Sequence, residues 1–224
     1  MTSSASRPLL IIGGGLMGLA IAHELAKKGR TVEVLSRRRS EAAGFVAAGM
    51  LAPHAEGLKE HLFQLGRLSL DQIPKWVATI EEDSGINCGL KNCGIVVPFC
   101  SQETRDHYPT ARYGLKLNRK ELEAEVPGIS AHWNTALLFN QDGQIDNRRR
   151  LMRALEKACV SLGVHFQEGV EVLDVLHEEK TLKGVSIRKA NGEVEIRSCE
   201  EAVLCSGAWS KQILQAIPIF PVKG

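Results

Sequence analysis

The chain has 224 residues, of which 44% are hydrophobic and 24% are charged, and its formal net charge is +2. This length allows one domain or two small ones, and the charge is too balanced to indicate a nucleic-acid or membrane partner. The six cysteines show no Cys-x-x-Cys pair, and His54 with His61 has no zinc-ligand spacing. We therefore expect a soluble, cytoplasmic protein with reduced thiols and no metal site.

Residues 9–36 carry the pattern of a dinucleotide-binding unit. Leu9–Ile12 form an unbroken apolar run, which is typical of a strand buried on both faces. Gly13, Gly15 and Gly18 follow in the G-x-G-x-x-G spacing. In this arrangement the first glycine allows a sharp turn, the second lets a pyrophosphate approach the backbone, and the third lets helix and strand pack closely.

The helix predicted after these glycines extends to about Lys28, with Gly29 at its C-cap position. Its first amides, near Leu16 and Met17, would face the phosphates with the positive end of the helix dipole behind them. Residues 31–35 return as a second strand. This strand, turn, helix and strand together favour a dinucleotide site over a ligand-free glycine turn.

The residue that ends the second strand departs from the fingerprint, which has an acidic residue there to bind a ribose. Ser36 stands at this position and can make one hydrogen bond without the strength of a carboxylate. Arg37, Arg38 and Arg39 follow it, and arginines at this corner can accommodate a 2′-phosphate, which keeps NADP open. A solvated basic loop is the other interpretation.

The segment 40–56 is small and apolar and contains neither lysine nor arginine. Small residues near a nucleotide pocket indicate close approach of the backbone to a ligand. A plain buried connection explains the composition equally well. The residues concerned include Ala43, Gly44, Ala48, Gly49 and Met50.

The elements predicted between 57 and 145 are helical at first and then mixed. The apolar spacing predicts two helices over 57–85, the second with Pro74 near its start. Asn118 is the expected N-cap of a later helix. The other predicted elements are weak helix over 101–113, helix over 119–125, and strands around 88–90, 95–99, 136–140 and 144–145, the last two around a turn at 142–143.

Asp146 is the predicted N-cap of an amphipathic helix over 147–162. The outer face of this helix is basic, but it has no interleaved aromatic residues, so a solvated face is favoured over a nucleic-acid surface. Residues 164–167 predict a further strand of the nucleotide-binding sheet. The inner face of the helix contains Leu151, Leu155, Cys159 and Leu162.

The last part of the chain predicts a small antiparallel layer, because its segments alternate apolar and polar residues around a turn at Asn191–Gly192. Residues 201–205 predict a final buried strand, and 208–216 a short helix. The alternating segments are 170–175, 182–188 and 193–197.

Two segments are distinctive at the level of individual residues. Residues 47–56 read Ala-Ala-Gly-Met-Leu-Ala-Pro-His-Ala-Glu, and residues 203–210 read Val-Leu-Cys-Ser-Gly-Ala-Trp-Ser. Together with 144–146 and 221–224, which agree in register, they resemble the FAD contact segments of the D-amino-acid oxidase family of FAD-dependent oxidoreductases, and within it the glycine oxidases. The resemblance covers nearly the whole chain.

The resemblance implies an α/β fold, with a Rossmann-like FAD-binding domain and an inserted, incomplete α+β substrate domain. The FAD-binding domain would comprise 1–55 and 141–224, and the partial substrate domain 56–140. The backbone at Val172 would meet the adenine, and Gly207 would lie where the backbone passes the FAD. The FAD-binding residues implied are Gly13, Gly15, Leu16, Met17, Gly18, Ser36, Arg37, Ala43, Gly44, Ala48, Gly49, Met50, Val172 and Gly207.

The activity implied is FAD-dependent oxidative deamination of glycine or another small amine or amino acid, with oxygen reduced to hydrogen peroxide. The product would be an imine or oxo acid, linked to thiazole formation in thiamine biosynthesis. No side-chain catalytic residue is assigned, because the cofactor supplies the chemistry. In the family, the residues that contact the flavin ring and the substrate carboxylate follow the position of Gly224, so we expect a truncated chain that binds FAD weakly by itself.

Two other classes of function stay open from the sequence. The first is a non-catalytic FAD-binding fragment or subunit that another chain completes, and a homo-oligomer also fits the sequence. The second is an NADP-dependent reductase that uses Arg37 and Arg38.

Overall fold

The computed structural model describes residues 7–214, apart from the side chains of residues 147 and 148. Within this range the α-helices are α1 Leu16–Lys27, α2 Glu60–Ser84, α3 Gln102–Asp106, α4 Arg119–Glu125, α5 Met152–Ser161 and α6 Ser210–Ile213. The strands are β1 Leu9–Ile12, β2 Val32–Ser36, β3 Met50–Leu51, β4 Ile95–Phe99, β5 Leu115–Leu117, β6 Thr135–Phe139, β7 Gly143–Gln144, β8 His165–Glu168, β9 Glu171–Glu178, β10 Thr181–Arg188, β11 Val194–Ser198 and β12 Ala202–Leu204.

The chain divides into two compact units. The first contains the residues up to 47, residues 83–86 and the residues from 152 on. The second contains residues 48–82 and 87–151. The domain boundaries implied by the family resemblance stay a prediction.

The first unit is built on a parallel sheet with strand order β12-β1-β2-β8. All four residues of β1 are buried, as the unbroken apolar run predicts. Leu10 and Ile12 pack into one hydrophobic cluster, and Leu9 and Ile11 pack into another. Successive side chains of a strand point to opposite faces, so β1 contributes to the core on both sides of the sheet.

Each face of this sheet is covered by a different layer. Leu10 and Ile12 share a cluster with Val172 and Ile187 of the antiparallel sheet β11-β10-β9. On the other face the cluster includes residues of α1 and α5. Its buried members are Leu9, Ile11, Ala22, Val32, Val34, Cys159 and Val164. The predicted antiparallel layer and the predicted third strand of the nucleotide-binding sheet are therefore confirmed.

The second unit contains the antiparallel sheet β4-β6-β5 and the two-stranded pair β3-β7. Leu137 and Phe139 of β6 are fully buried beneath Phe99 of β4 and the side chains around it. Asn118 caps α4 through a capping box with Glu121, as its position in the sequence predicts.

Several predicted elements differ from the structure. The two helices expected over 57–85 are one helix, α2, with Pro74 inside it. A proline in a helix interior removes one backbone hydrogen bond, and Pro74 lies on the exposed side, where water can satisfy the freed carbonyl. The strand expected around 88–90 is absent from the described residues there, and only Lys91 forms an isolated bridge with Gln144.

The helix after Asp146 also begins differently from its prediction. Residues Asn147–Leu151 form a π-helical turn before α5, because the amides of Arg150 and Leu151 both donate to the carbonyl of Asp146. The predicted cap is confirmed, since the Arg149 amide donates to Asp146 Oδ1 at 3.1 Å.

The elements near β12 are shorter than predicted. The residues of β12 are half-buried rather than buried. A 3₁₀ turn, Gly207–Trp209, precedes α6, and residues 215–216 of the predicted helix lie outside the described residues, as do 221–224 of the family resemblance. No helix within the described range is long and apolar enough to cross a membrane.

An ionic cluster around one buried histidine lies in the first unit beside α1. His23 is fully buried, and its Nε2 lies 2.7 Å from Asp83 Oδ2. Lys27 Nζ donates to the same oxygen at 3.0 Å. Burial raises the pKa of Asp83, but the hydrogen bonds and charges of Lys27 and His23 outweigh it and hold that pKa below its ordinary value of 3.8.

The variant Asp83→Asn tests this cluster through its pH dependence. A carboxylate with a lowered pKa stabilises the fold above its unfolded-state pKa, and this contribution is lost as the pH falls through the folded-state pKa. We expect Asp83→Asn to unfold at lower urea concentration than the wild type at neutral pH. The difference should shrink as the pH falls below 3.8.

Urea unfolding at a series of pH values measures the urea concentration at which each protein unfolds, and how the difference between variant and wild type changes with pH. Asp71→Asn is the matched control, because Asp71 is exposed and makes no ion pair with the described residues. A difference between Asp83→Asn and wild type that stays constant from neutral to acid pH would contradict this electrostatic account.

Candidate functional site

The glycine loop after β1 is held by close backbone packing. Gly13 has φ of +113°, and a Cβ there would lie 2.4 Å from the carbonyl oxygen of Cys205. A Cβ on Gly18 would lie 1.9 Å from the carbonyl oxygen of Gly13. The Cys205 amide also donates to the Ile12 carbonyl at 2.8 Å. No side chain therefore fits at the point where the ends of β1 and β12 meet the start of α1, as the fingerprint requires.

Gly15 differs from these two glycines, because a Cβ there would meet only Ala42 Cβ, at an ordinary 3.6 Å. Gly15 is the N-cap of α1, with extended backbone and no side-chain cap. The first turn of α1 contains no acidic residue, and Met17 is 64% exposed. Packing within the chain does not explain this glycine, so the space beside it fits a bound anion at the helix start.

The corner after β2 is positively charged, but its arginines are paired. Arg38 Nη1 lies 2.7 Å from Glu41, and Arg37 Nη2 lies 3.4 Å from the same carboxylate. Arg39 Nη2 lies 2.9 Å from Glu156. Each of these arginines is therefore paired with an acidic side chain in the folded chain, while Arg37 and Arg38 remain exposed to solvent.

Arg39 has a further feature that the sequence did not indicate. Its Nη1 is buried and has no hydrogen-bond partner among the described residues. The side chain passes the glycine loop, since a Cβ on Gly14 would lie 2.6 Å from Arg39 Cγ. A buried donor without a partner is costly, so an acceptor from a bound group fits at this position.

Several predicted site residues meet at the carboxyl edge of the parallel sheet. Ser36 is buried there, and its carbonyl accepts from the Val170 amide at 3.1 Å. The Arg37 guanidinium lies 3.8 Å from Glu171, the neighbour of Val172, and 5.1 Å from the centre of the Trp209 ring. Ligands of open α/β sheets bind at this edge, where the order of strands reverses.

The other predicted site residues of the first unit differ in how much room they leave for a ligand. Val172 points its side chain into the core, so only its backbone remains for a ligand. Gly207 has φ of +56° and open space where a Cβ would be. Ala43 is exposed, whereas Gly44 is buried, and a Cβ on Gly44 would lie 2.6 Å from Met152 Sδ. Gly44 is therefore explained by packing as well as by a ligand.

Ala48, Gly49 and Met50 belong to the second unit. Gly49 has φ of +82°, and its carbonyl accepts from the Ile145 amide at 2.9 Å. Met50 pairs with Gln144 in the β3-β7 ladder, while its side chain is 52% exposed. The Ala-Gly-Met-Leu segment is thus held by its backbone and presents Met50 on the surface.

A buried pair that the sequence did not predict follows this segment. His54 Nδ1 lies 2.6 Å from Asp142 Oδ1, and the Ala55 amide donates to Asp142 Oδ2 at 2.7 Å. Both side chains are at least 95% buried, and the His54 ring lies edge-on to Phe63. Asp142 was predicted only as a turn residue, and the 88 positions between the partners hide the pair from local patterns.

Two grooves lie in the second unit. One, of about 410 Å³, is next to Phe63 and Tyr113. The other, of about 190 Å³, is lined by Met50 and Pro53 among others. Groups of three or more metal-ligating side chains are absent from residues 7–214 as described.

Comparisons with known proteins agree on one family. Residues 9–224 match the family described as FAD dependent oxidoreductase. The chain is 35% identical over 219 residues to the bifunctional protein ThiO/ThiG of Synechocystis sp., covering 96% of this chain and 32% of that protein. It is 30% identical over 225 residues to glycine oxidase of Bacillus licheniformis, covering 96% and 59% respectively.

The solved structures show the same likeness. The crystal structure of glycine oxidase from Geobacillus kaustophilus is similar with a TM-score of 0.80 and 27% identity, covering 92% of this chain and 57% of that one. Glycine oxidase from Bacillus cereus gives a TM-score of 0.79 at 25% identity. The chain thus spans about a third of the ThiO/ThiG protein and under three fifths of these glycine oxidases. The α/β fold expected from the resemblance is confirmed.

The variants Gly18→Ala and Gly15→Ser distinguish a glycine that packing within the chain requires from one that leaves space for a ligand. We expect Gly18→Ala to lower the free energy of unfolding by about 2 kcal/mol or more, because its Cβ overlaps the Gly13 carbonyl. Gly15→Ser should change it by less than about 1 kcal/mol, since a Cβ fits there and serine is a favoured N-cap. Urea unfolding of the two variants beside wild type measures this, and equal losses would refute the distinction.

Asp142→Ala tests the buried pair of the second unit. Removing this carboxylate leaves His54 Nδ1 and the Ala55 amide without their acceptor, so we expect a loss of about 3 kcal/mol in unfolding free energy. Chemical denaturation measures the loss, and Asp71→Ala on the exposed side of α2 serves as the control. An Asp142→Ala variant as stable as Asp71→Ala would show that the pair contributes nothing.

Proposed function

The chain belongs to the family of FAD-dependent oxidoreductases, and on this premise we propose that its first unit binds FAD for the oxidation of glycine or another small amino acid. The observation that carries the proposal is the backbone crossing of Gly13, Gly18 and Cys205 next to Gly15, the N-cap of α1, where a Cβ would meet only Ala42 Cβ at an ordinary 3.6 Å. Because the chain spans about three fifths of the glycine oxidases it matches, the activity of the whole protein is part of the proposal.

The pyrophosphate of FAD would bind at the first turn of α1. The amides of Leu16 and Met17 would donate to it, with the positive end of the helix dipole behind them. Arg39, whose Cγ lies beside Gly14 and whose Nη1 has no partner among the described residues, would supply a further donor. An uncapped helix start and a buried donor that lacks an acceptor both suit a group of negative charge.

The adenosine half of FAD would extend along the carboxyl edge of the sheet. Ser36 would make one hydrogen bond to the ribose, and the backbone at Val172 would border the adenine. The backbone at Gly207 would pass the cofactor without a side chain in the way. The proposed FAD-binding residues of the second unit are Ala48, Gly49 and Met50.

FAD, when bound, supplies the chemistry of the family by accepting a hydride from the substrate, after which oxygen is reduced to hydrogen peroxide. The residues of this chain bind and orient the cofactor, and we assign none of them a catalytic role. A place in the thiazole branch of thiamine biosynthesis is proposed from the likeness to proteins named ThiO/ThiG.

FAD is favoured over NADP by the charges around Ser36. A 2′-phosphate site needs arginines that are free to pair with it. Arg37 and Arg38 share Glu41 instead, and Arg37 also approaches Glu171. Binding a 2′-phosphate would require these ion pairs to break.

The test begins with the visible spectrum of the purified chain during titration with FAD, and then with NADPH as competitor. We expect FAD to bind, NADPH not to displace it at equal concentration, and Gly15→Ser to weaken FAD binding at least about tenfold, or 1.4 kcal/mol. Displacement by NADPH, or undiminished binding by a folded Gly15→Ser variant, would overturn the FAD site.

Addition of glycine to the FAD-loaded chain, followed by a peroxide assay, tests the reaction separately. Bleaching of the flavin with peroxide release supports oxidation by these residues. Bound FAD without turnover overturns catalysis by this chain and leaves an FAD-binding subunit, which co-purification with a completing chain would identify.

A further inference from the structure

A cysteine and a histidine that the proposed function does not use form a pair on the surface of the second unit. Cys100 Sγ lies 2.9 Å from His132 Nε2. Both residues are exposed, so small molecules in solvent reach the sulfur. Thirty-two positions separate the two residues, and only the fold brings them together.

The loop that carries His132 is fixed by one guanidinium. Arg119 Nη1 donates to the carbonyls of Ser130 and Trp133, at 3.0 and 2.9 Å, and Arg119 Nη2 donates to that of Ile129 at 3.2 Å. The Trp133 ring stands edge-on to the imidazole, with 5.1 Å between ring centres. These contacts hold the His132 ring in place although it is exposed.

The backbone that carries Cys100 is fixed by the neighbouring strand. Phe99 pairs with Thr135 at the end of the β4-β6 ladder. Asn134 continues this pairing, because its amide donates to the Phe99 carbonyl at 3.0 Å and its side chain donates to the Cys100 carbonyl at 2.7 Å. The backbone of Cys100 and the loop of His132 are therefore each held by neighbouring groups, which keeps the thiol and the imidazole next to each other.

The other cysteines lack this arrangement. Burial raises the pKa of the Cys88 thiol to about 11 and that of Cys159 to about 12. Burial also raises the pKa values of Cys199 and Cys205. Cys93 is exposed like Cys100, but within residues 7–214 it has no imidazole beside it. Cys93 is thus a natural control for exposure without a base.

The geometry points to Cys100 as a peroxide-reactive modification site, with His132 as the base that activates its thiol. The ligand class is a small hydroperoxide, of which hydrogen peroxide is the simplest. Neither residue of the pair is among the proposed FAD-binding residues, and the test uses added peroxide, so its outcome does not depend on the proposed oxidation of glycine.

The reaction balances with the two residues and one peroxide. Cys100 Sγ attacks one peroxide oxygen while its proton passes to His132 Nε2, in the tautomer that leaves this nitrogen free to accept. The O–O bond breaks, and the leaving oxygen takes the proton from Nε2 and departs as water. The sulfur is oxidised to a sulfenic acid and the peroxide is reduced, so no other oxidant is needed.

Sulfenic-acid trapping tests this assignment on the full chain. The wild type is treated with hydrogen peroxide and a cyclic dione probe, digested with trypsin and analysed by mass spectrometry. Cys93 and Cys100 lie on the same tryptic peptide, residues 92–105, so fragment ions compare the two thiols within one molecule. We expect the probe at Cys100 to exceed that at Cys93 at least about tenfold, which is below the roughly hundredfold that a positioned general base typically supplies.

His132→Gln separates activation by the imidazole from mere exposure. This variant keeps a polar side chain on the exposed loop, and the Arg119 contacts to the backbone remain. We expect the labelling rate of Cys100 to fall to that of Cys93, with an unchanged melting temperature. Equal labelling of the two cysteines in wild type, or unchanged labelling of Cys100 in a folded His132→Gln variant, would overturn the proposal.

Discussion

The carbonyl of Gly13 faces Gly18, and the carbonyl of Cys205 faces Gly13, so closely that neither glycine has room for a side chain. A side chain at either glycine would force β1, α1 and β12 apart. Since the carboxyl edge of the parallel sheet is defined by these strands, the position of the helix start relative to Ser36 depends on this crossing. The cofactor site we propose is therefore a consequence of backbone contact more than of particular polar side chains.

Charge is arranged differently in the two units. Around Ser36 the arginines pair with glutamates on the surface, where each ion pair contributes little to the stability of the fold. In the second unit His54 and Asp142 are buried together, and the buried carboxylate accepts hydrogen bonds from both His54 and the Ala55 amide. The first arrangement suits a surface that receives a ligand, and the second suits a fixed support for the chain that follows Met50.

The sequence predicted what local patterns determine. The apolar run of β1, the caps Asn118 and Asp146, and the alternation of β9 to β11 all rest on residues within a few positions of each other. It did not predict α2 as one helix, because the effect of Pro74 depends on which side of the helix faces water. The buried His54–Asp142 pair, the orphaned nitrogen of Arg39 and the Cys100–His132 contact depend on distant partners, which no spacing rule reports.

The order of strands in the parallel sheet has a consequence for how the protein is made. Leu10 in the first strand pairs with Ala202, near the other end of the described residues. During synthesis, which proceeds from the N-terminus, one edge of β1 has no partner until β12 has left the ribosome. Pairings so distant in sequence form slowly, and an uncovered apolar strand edge invites association with other chains. The glycine loop thus acquires its final shape only after β12 has paired with β1. The exposed edge of β1 needs protection by chaperones most before that pairing.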